Sequence, residues 1–181
     1  MTKTNRNGCL YIKDKEVQQC TSVLDLGVTI SSNLKWTNHI NRIRLKAFTK
    51  SQHILKSFTS NNVWTLLRAY TVYVRPIIES DSSVWNPVYQ YDINSLESVQ
   101  RYYTRRICCR CNIPFKSYSD RLYKLNIKSL QYRRLEADMI LVYKIVHGLV
   151  DIPMNNLFKF YDSRLYATRR HRFCVEIKRC K

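Results

Sequence analysis

The spacing of apolar residues changes at Thr37. Before it, Cys9-Leu10-Tyr11-Ile12, the polar turn Lys13-Asp14-Lys15 and Glu16-Val17-Gln18 read as a hairpin. Val23-Leu24-Asp25-Leu26-Gly27-Val28-Thr29-Ile30 reads as a third strand, rich in β-branched residues. Three strands this short bury too little surface to stand alone. From Thr37 the period is helical. Ile40, Ile43, Ala47, Ile54, Leu55 and Phe58 share one face, and Arg42, Arg44, Lys46, Lys50 and Lys56 take the remainder, with no acid in the stretch.

Four more helices follow by the same reasoning. Ser60, Asn61 or Asn62 caps a helix through Val63, Trp64, Leu67, Tyr70 and Val74; it is apolar nearly all round, which places it centrally, and Pro76 interrupts or kinks it. After Asn86-Pro87, Asp92 is a cap for a helix burying Ile93, Leu96, Val99, Tyr103 and Ile107. Pro114 ends the next segment, and Ser117 with Asp120 forms a capping-box-like start to a short helix through Tyr123. Ser129 opens what the pattern predicts as the longest helix, with Leu130, Leu135, Met139, Val142 and Val146 among its apolar positions and Gly148 as its stop. Beyond Pro153 the pattern fades into a basic tail with one short candidate strand, Phe173–Ile177. No internal repeat or low-complexity run appears. The expected class is mainly α: a helical bundle over 37–150, a small β-hairpin or three-strand unit over 1–36, and a basic, partly ordered tail over 151–181.

Composition sharpens this picture. Lys and Arg number 31 against 13 Asp and Glu, a formal charge of +18 on 181 residues, threaded through amphipathic segments rather than confined to the tail. A compact body with that charge repels itself unless a polyanion opposes it, and a nucleic-acid backbone is the commonest such partner. Hydrophobic residues at 45 % are enough for a core, and only three Gly and four Pro favour helices. The seven Cys are odd in number and the polar opening Thr2-Lys3-Thr4-Asn5-Arg6-Asn7 is no signal peptide, so reduced thiols and a cytoplasmic or nuclear setting are expected. Met139–Tyr143, the longest apolar run, falls far short of the ~20 residues of a membrane helix.

Most catalytic chemistry lacks its residues. There is no Asp-Asp pair for Mg²⁺, and the acids are dispersed singly among Lys and Arg. Asp138, one turn after Arg134, fits a structural ion pair. Cys108, Cys109 and Cys111 are crowded but lack the paired Cys/His spacing of a zinc site, so thiols partly buried at a helix end are expected there; His39, His53, His147 and His171 are scattered. Gly8, Gly27 and Gly148 are isolated, which excludes a phosphate loop. Basic residues interleaved with aromatics remain: Arg101-Tyr102-Tyr103-Thr104-Arg105-Arg106, Tyr132-Arg133-Arg134, and Thr168-Arg169-Arg170-His171-Arg172. Guanidinium groups bind phosphate bidentately and rings stack on bases or on Arg, giving affinity without sequence readout.

Several stretches in order also carry a resemblance. Asp25-Leu26-Gly27-Val28, Ser32-Asn33-Leu34-Lys35-Trp36 with His39-Ile40, and Lys46-Ala47 come first. Tyr73-Val74-Arg75-Pro76-Ile77, Val84-Trp85-Asn86-Pro87 and Leu96-Glu97-Ser98-Val99-Gln100-Arg101 follow. Tyr118 with Arg121-Leu122, Leu130 with Arg133-Arg134-Leu135 and Asp138, and Thr168-Arg169 complete the series. Together they resemble the region after the catalytic palm in reverse transcriptases of non-LTR (LINE-type, jockey-like) retrotransposons. The resemblance implies that Leu26 and Gly27 correspond to a primer-grip turn and that the helices form a thumb holding template–primer. It places Arg42, Arg44, Lys46 and Lys50 on the first thumb-like helix, and with Arg101, Arg105, Arg106, Arg133, Arg134, Arg169, Arg170 and Arg172 of the interleaved clusters these are the expected nucleic-acid contacts. The palm with its Tyr/Phe-x-Asp-Asp motif has no counterpart here, so any Mg²⁺ would belong to that palm and this chain would hold no cofactor of its own. The expected function is a polymerase fragment that binds RNA or RNA–DNA hybrid, alongside the remainder of such a polymerase and without a membrane. The alternatives are a stand-alone RNA- or protein-binding adaptor and a degenerate element product without function.

Overall fold

A computed structural model describes residues 2–4, 10–12, 15–16, 18–153 and 157. The chain is mainly helical and separates into two compact units, 1–130 and 131–181, a division that differs from the pattern changes at 36 and 150. Short strands β1 (Thr2–Thr4), β2 (Leu10–Ile12) and β3 (Lys15–Glu16) form an antiparallel sheet, with Tyr11 opposite Glu16 as the expected hairpin requires.

The stretch expected as one strand is instead a second hairpin, β4 (Ser22–Asp25) and β5 (Val28–Ser31), paired from Ser22–Ser31 to Asp25–Val28. Its two-residue turn is Leu26-Gly27, with φ at 45° and 89°. Positive φ at both central residues matches the twist of a tight hairpin, and for Leu it is a strained conformation. Leu26 lies 95 % exposed at the tip, where no packing offsets that strain.

Helix α1 (Thr37–Ser57) begins where the period changes and buries Ile40, Ile43, Ala47, Ile54 and Leu55, with His39 and Ser51 on the same face. Asn62 caps α2 (Val63–Ala69): its Oδ1 accepts from the backbone N–H of Trp64 at 2.9 Å and of Thr65 at 3.3 Å. A π-helical turn, Tyr70–Val74, then leads into α3 (Arg75–Glu79), and the Arg75 N–H bonds Tyr70 O five residues back. Pro76 has no N–H with which to close an α-turn, and the widened turn absorbs that defect in place of a break. Trp64 and Tyr73 are exposed, so this segment is central only through Leu66, Leu67, Ala69, Tyr70, Val74 and Ile78.

After α4 (Ser82–Trp85), α5 (Gln90–Arg110) crosses α1 and forms the other half of the core with Leu96, Val99, Tyr103 and Ile107. Asp92 does not cap it. Its carboxylate is 3 % exposed and accepts from the Thr37 hydroxyl at 3.3 Å, tying the first turn of α5 to that of α1. Helix α6 (Tyr118–Lys124) starts as the capping pattern requires, with Ser117 Oγ accepting from the Asp120 N–H at 3.1 Å. Helix α7 (Leu130–Val146) has 17 residues, fewer than the 21 of α1 and of α5, so it is not the longest. Past its first residue it belongs to the second unit. Gly148 (φ 66°) ends it, with Leu149 N–H bonding Lys144 O at 2.8 Å.

Two buried polar groupings lock the first unit. From α5, Glu97 and Gln100 hold the segment 118–130. Tyr118 Oη donates to Glu97 Oε1, which also accepts from the Leu130 N–H at 3.2 Å. Gln100 accepts from Tyr70 Oη at 2.7 Å and donates to Tyr118 Oη and Lys128 O, both at 3.0 Å. Burial pushes the Tyr70 phenol well above its ordinary pKa and, with the Glu97 hydrogen bond, raises that of Tyr118, so both stay neutral donors. At the hairpin end, His39 Nδ1 accepts from the Thr29 N–H at 3.1 Å, its ring lies 5.2 Å from that of Trp85, and Trp85 Nε1 donates to Ser80 O at 2.9 Å.

Replacing Gln100 by Leu strands the Tyr70 hydroxyl and the Lys128 carbonyl and leaves Tyr118 only its bond to Glu97. It should lower stability by about 1–3 kcal/mol in urea unfolding with an unchanged m-value; a change below about 0.5 kcal/mol would show that these groups are hydrated. His39 yields a pH signature. Burial, then Arg42, lower its pKa from 6.5, with Asp81 opposing. The folded chain therefore binds this proton less readily than the unfolded one. Its contribution is complete above the ordinary value of 6.5 and is lost as pH falls through the lower folded value. Melting temperature should fall on acidification across this window. His39→Gln, which keeps an acceptor for Thr29, should be less sensitive; an equal slope in both proteins contradicts this role.

Candidate nucleic-acid interface

The two long helices present most of the expected phosphate ligands, and they do so in separate clefts. On α1, Arg42 and Lys46 are exposed beside the hairpin tip. With Leu26, Gly27, His39, Pro76 and Asp81 they line a cleft of about 340 Å³, and Arg42 Nη2 donates to Gly27 O. Lys50 lies with its Nζ 5.7 Å from the centre of the exposed Tyr73 ring, and Arg44 is half-buried. The primer-grip-like pair, Leu26 and Gly27, is thus brought to Arg42 and Lys46 but not to the cations of α5.

The C-terminal halves of α1 and α5 enclose a second basic cleft. It measures about 650 Å³ and is lined by Gln52, Leu55, Lys56, Tyr102, Arg106, Cys109 and Arg110. Tyr102 forms its wall, packed against Phe48 at 4.5 Å between ring centres and overlain by the Arg106 guanidinium at 5.6 Å. Arg110 is structural: Nη1 donates to Phe58 O and Nη2 to Leu55 O, both at 2.6 Å, covering the last carbonyls of α1 where the helix dipole is negative. On the other side of Tyr102, Arg101, Arg105, Phe115 and Arg121 line a cleft of about 420 Å³. Arg101 also lies 5.1 Å from the Tyr118 ring.

What surrounds these cations matters as much as their number. Between residues 18 and 130, Asp92 and Glu97 are buried in the hydrogen bonds above. Glu79 and Asp120 pair with Arg75 and Lys124 one turn away on their own helices, at 3.6 and 3.2 Å. Only Asp25 and Asp81 are exposed acids. Among the described residues no ion pair holds Arg42, Arg44, Lys46, Lys50, Arg101, Arg105 or Arg106. All of them but the half-buried Arg44 are exposed.

Other expected ligands fall elsewhere. Arg134 is 2 % exposed, so it does not reach a phosphate at the surface. Arg133 is half-buried beside it. Arg169, Arg170 and Arg172 lie outside the described residues, as does the candidate strand Phe173–Ile177. The three crowded thiols stand as expected at the end of α5, with Cys108 buried, Cys111 half-buried and Cys109 exposed. No group of three His, Cys, Asp or Glu among the described residues is arranged to hold a metal ion, and none of their helices is long and apolar enough to cross a membrane. Lys56 and Arg121 join the clefts without having been singled out for phosphate. For Arg121 the signal was its spacing, one turn after Tyr118 on a capped helix.

Comparison with known proteins adds one relative. The chain is 33 % identical over 131 residues to "Uncharacterized protein B0403.1" of Caenorhabditis elegans. The match takes in 72 % of this chain and 66 % of the worm protein, so the chain spans just under two thirds of that relative's length. No family model and no solved structure matches the chain.

Proposed function

We propose that the first unit grips a nucleic-acid backbone, an RNA–DNA hybrid foremost, as the thumb-like part of a non-LTR retrotransposon reverse transcriptase. One observation carries this reading. Lys56, Arg101, Arg105 and Arg106 stand around Tyr102 on two packed helices, and among the described residues no carboxylate pairs with them. Rigid helices hold the cations at set distances, so little side-chain freedom is lost on binding, and phosphates provide the missing counter-charge. The contacts are to backbone, and the wide, shallow groove of an A-form-like hybrid leaves its phosphates open to such a surface. Arg42 and Lys46 beside the Leu26-Gly27 tip form a second point of contact, in keeping with the primer-grip likeness of that turn. Strain retained at an exposed Leu fits a residue kept for contact rather than for folding.

In this reading polymerisation and its Mg²⁺ belong to a palm, and this chain positions template–primer in the cytoplasm or nucleus. The exposed apolar side of α7, formed by Tyr132, Leu135, Met139, Ile140 and Tyr143, favours a second reading as a protein-binding adaptor.

Fluorescence anisotropy with a labelled RNA–DNA hybrid separates the two. Log K should fall by about 0.7–0.9 for each phosphate contacted per tenfold rise in salt, for any sequence. Lys56→Gln combined with Arg106→Gln should weaken binding uniformly and reduce the salt slope by about two contacts. A flat salt response, or a slope unchanged in the double variant, contradicts the proposal.

A further inference from the structure

The cleft between α5 and α6 contains an electrostatic anomaly. Arg121 is 8 % exposed, yet among the described residues it has no carboxylate partner. Its Nε donates to Thr104 Oγ1 at 3.4 Å, and its guanidinium carbon lies 4.8 Å from the Phe115 ring and 5.4 Å from the Tyr118 ring. Its neighbour Asp120 is committed to the Lys116 N–H at 3.0 Å and to Lys124. Two rings and one long hydrogen bond replace only part of the hydration that a guanidinium surrenders, and buried charges otherwise have a counter-ion. Two more guanidinium groups, those of Arg101 and Arg105, line the same cleft, where like charges repel. Among the described residues no carboxylate forms an ion pair with any of the three cations around this hollow.

We propose that this cleft is a discrete phosphate site, anchored by Arg121 and completed by Arg101 and Arg105, with Tyr102 and Phe115 as its walls. Phosphate is favoured over carboxylate by the donor set. Three planar forks need more acceptor atoms than two oxygens offer, and a phosphate presents them tetrahedrally. A single phosphate of bound nucleic acid is the intended occupant, and for that source the inference rests on the function proposed above. The site differs from the general basic surface because its anchor is buried and held in place by packing, so binding there is saturable and of defined stoichiometry.

The test uses the full chain and two probes. First, inorganic phosphate is titrated at constant ionic strength, with melting temperature as the readout. Phosphate stabilises many proteins unspecifically, so the variants decide. The wild type should show a saturating rise that is absent in Arg121→Lys, which keeps the charge but loses the fork. Arg101→Gln and Arg105→Gln, both exposed and safe for folding, should abolish it too and carry the test if Arg121→Lys unfolds. Second, RNA–DNA hybrid affinity is measured: Arg105→Gln should lose about tenfold, and Lys50→Gln, outside the cleft, only about two- to threefold. Phosphate responses equal in wild type and all variants would overturn the site even if hybrid binds. Saturable, variant-sensitive phosphate binding without hybrid binding would sustain the site, assign it to a free phosphate ligand, and overturn nucleic acid as the source.

Discussion

Glu97 and Gln100, one turn apart on α5, organise the surface on which the functional reading stands. Both are nearly inaccessible to solvent, and between them they take up Tyr70 from the π-helical turn, Tyr118 from α6, and backbone groups at Lys128 and Leu130. A buried carboxylate and amide are unfavourable unless hydrogen-bonded, and the bonds made here, to Glu97 Oε1 and to both atoms of the Gln100 amide, require that three distant parts of the chain come to one place. Glu97 Oε2 is left without a partner among the described residues. The result is positional. Residue 101 follows directly from this network, and Arg121 is carried in by the same helix that supplies Tyr118. The basic cleft is therefore built on the inflexible side of α5.

The distribution of acids follows a related economy. In residues 18–130, most acids are spent internally: Asp92 on Thr37, Glu97 on the network, Glu79 and Asp120 on partners one turn away. What reaches the surface there is mostly cationic, and much of it lines clefts beside α1 and α5. Salt-bridged surface charges contribute little to stability, whereas unopposed ones repel and weaken the fold. A protein that retains them gains when a polyanion arrives. This is the physical content of the thumb-like proposal, and it is independent of the family likeness that suggested a particular polyanion.

Local rules made much of this fold legible. The acid-free, 3.6-period stretch from Thr37 marked α1 at its first residue, and Asn62, Ser117 and Gly148 acted as the caps and stop that their chemistry suggests. The failures were non-local or conformational. Leu26 is an unfavourable turn residue, so the hairpin at 22–31 read as one strand. Asp92 has the composition of a cap, but a hydroxyl 55 residues away claimed it. Arg134 looked like a solvated cation, and burial on α7 removed it from the candidate site. Arg101, Arg105 and Arg106 were visible because they interleave with Tyr102. For Arg121 the sequence showed only its spacing after Tyr118; that it lies buried without an ion-pair partner among the described residues depends on the packing of α5 and α6.

Arginine-selective chemical footprinting, read by mass spectrometry with and without RNA–DNA hybrid, tests the central claim most directly. The account predicts protection of Arg101, Arg105 and Arg106, with exposed Arg68, outside these clefts, reacting as before. Equal protection of all four, or none at the α5 arginines under conditions where hybrid is bound, would contradict it.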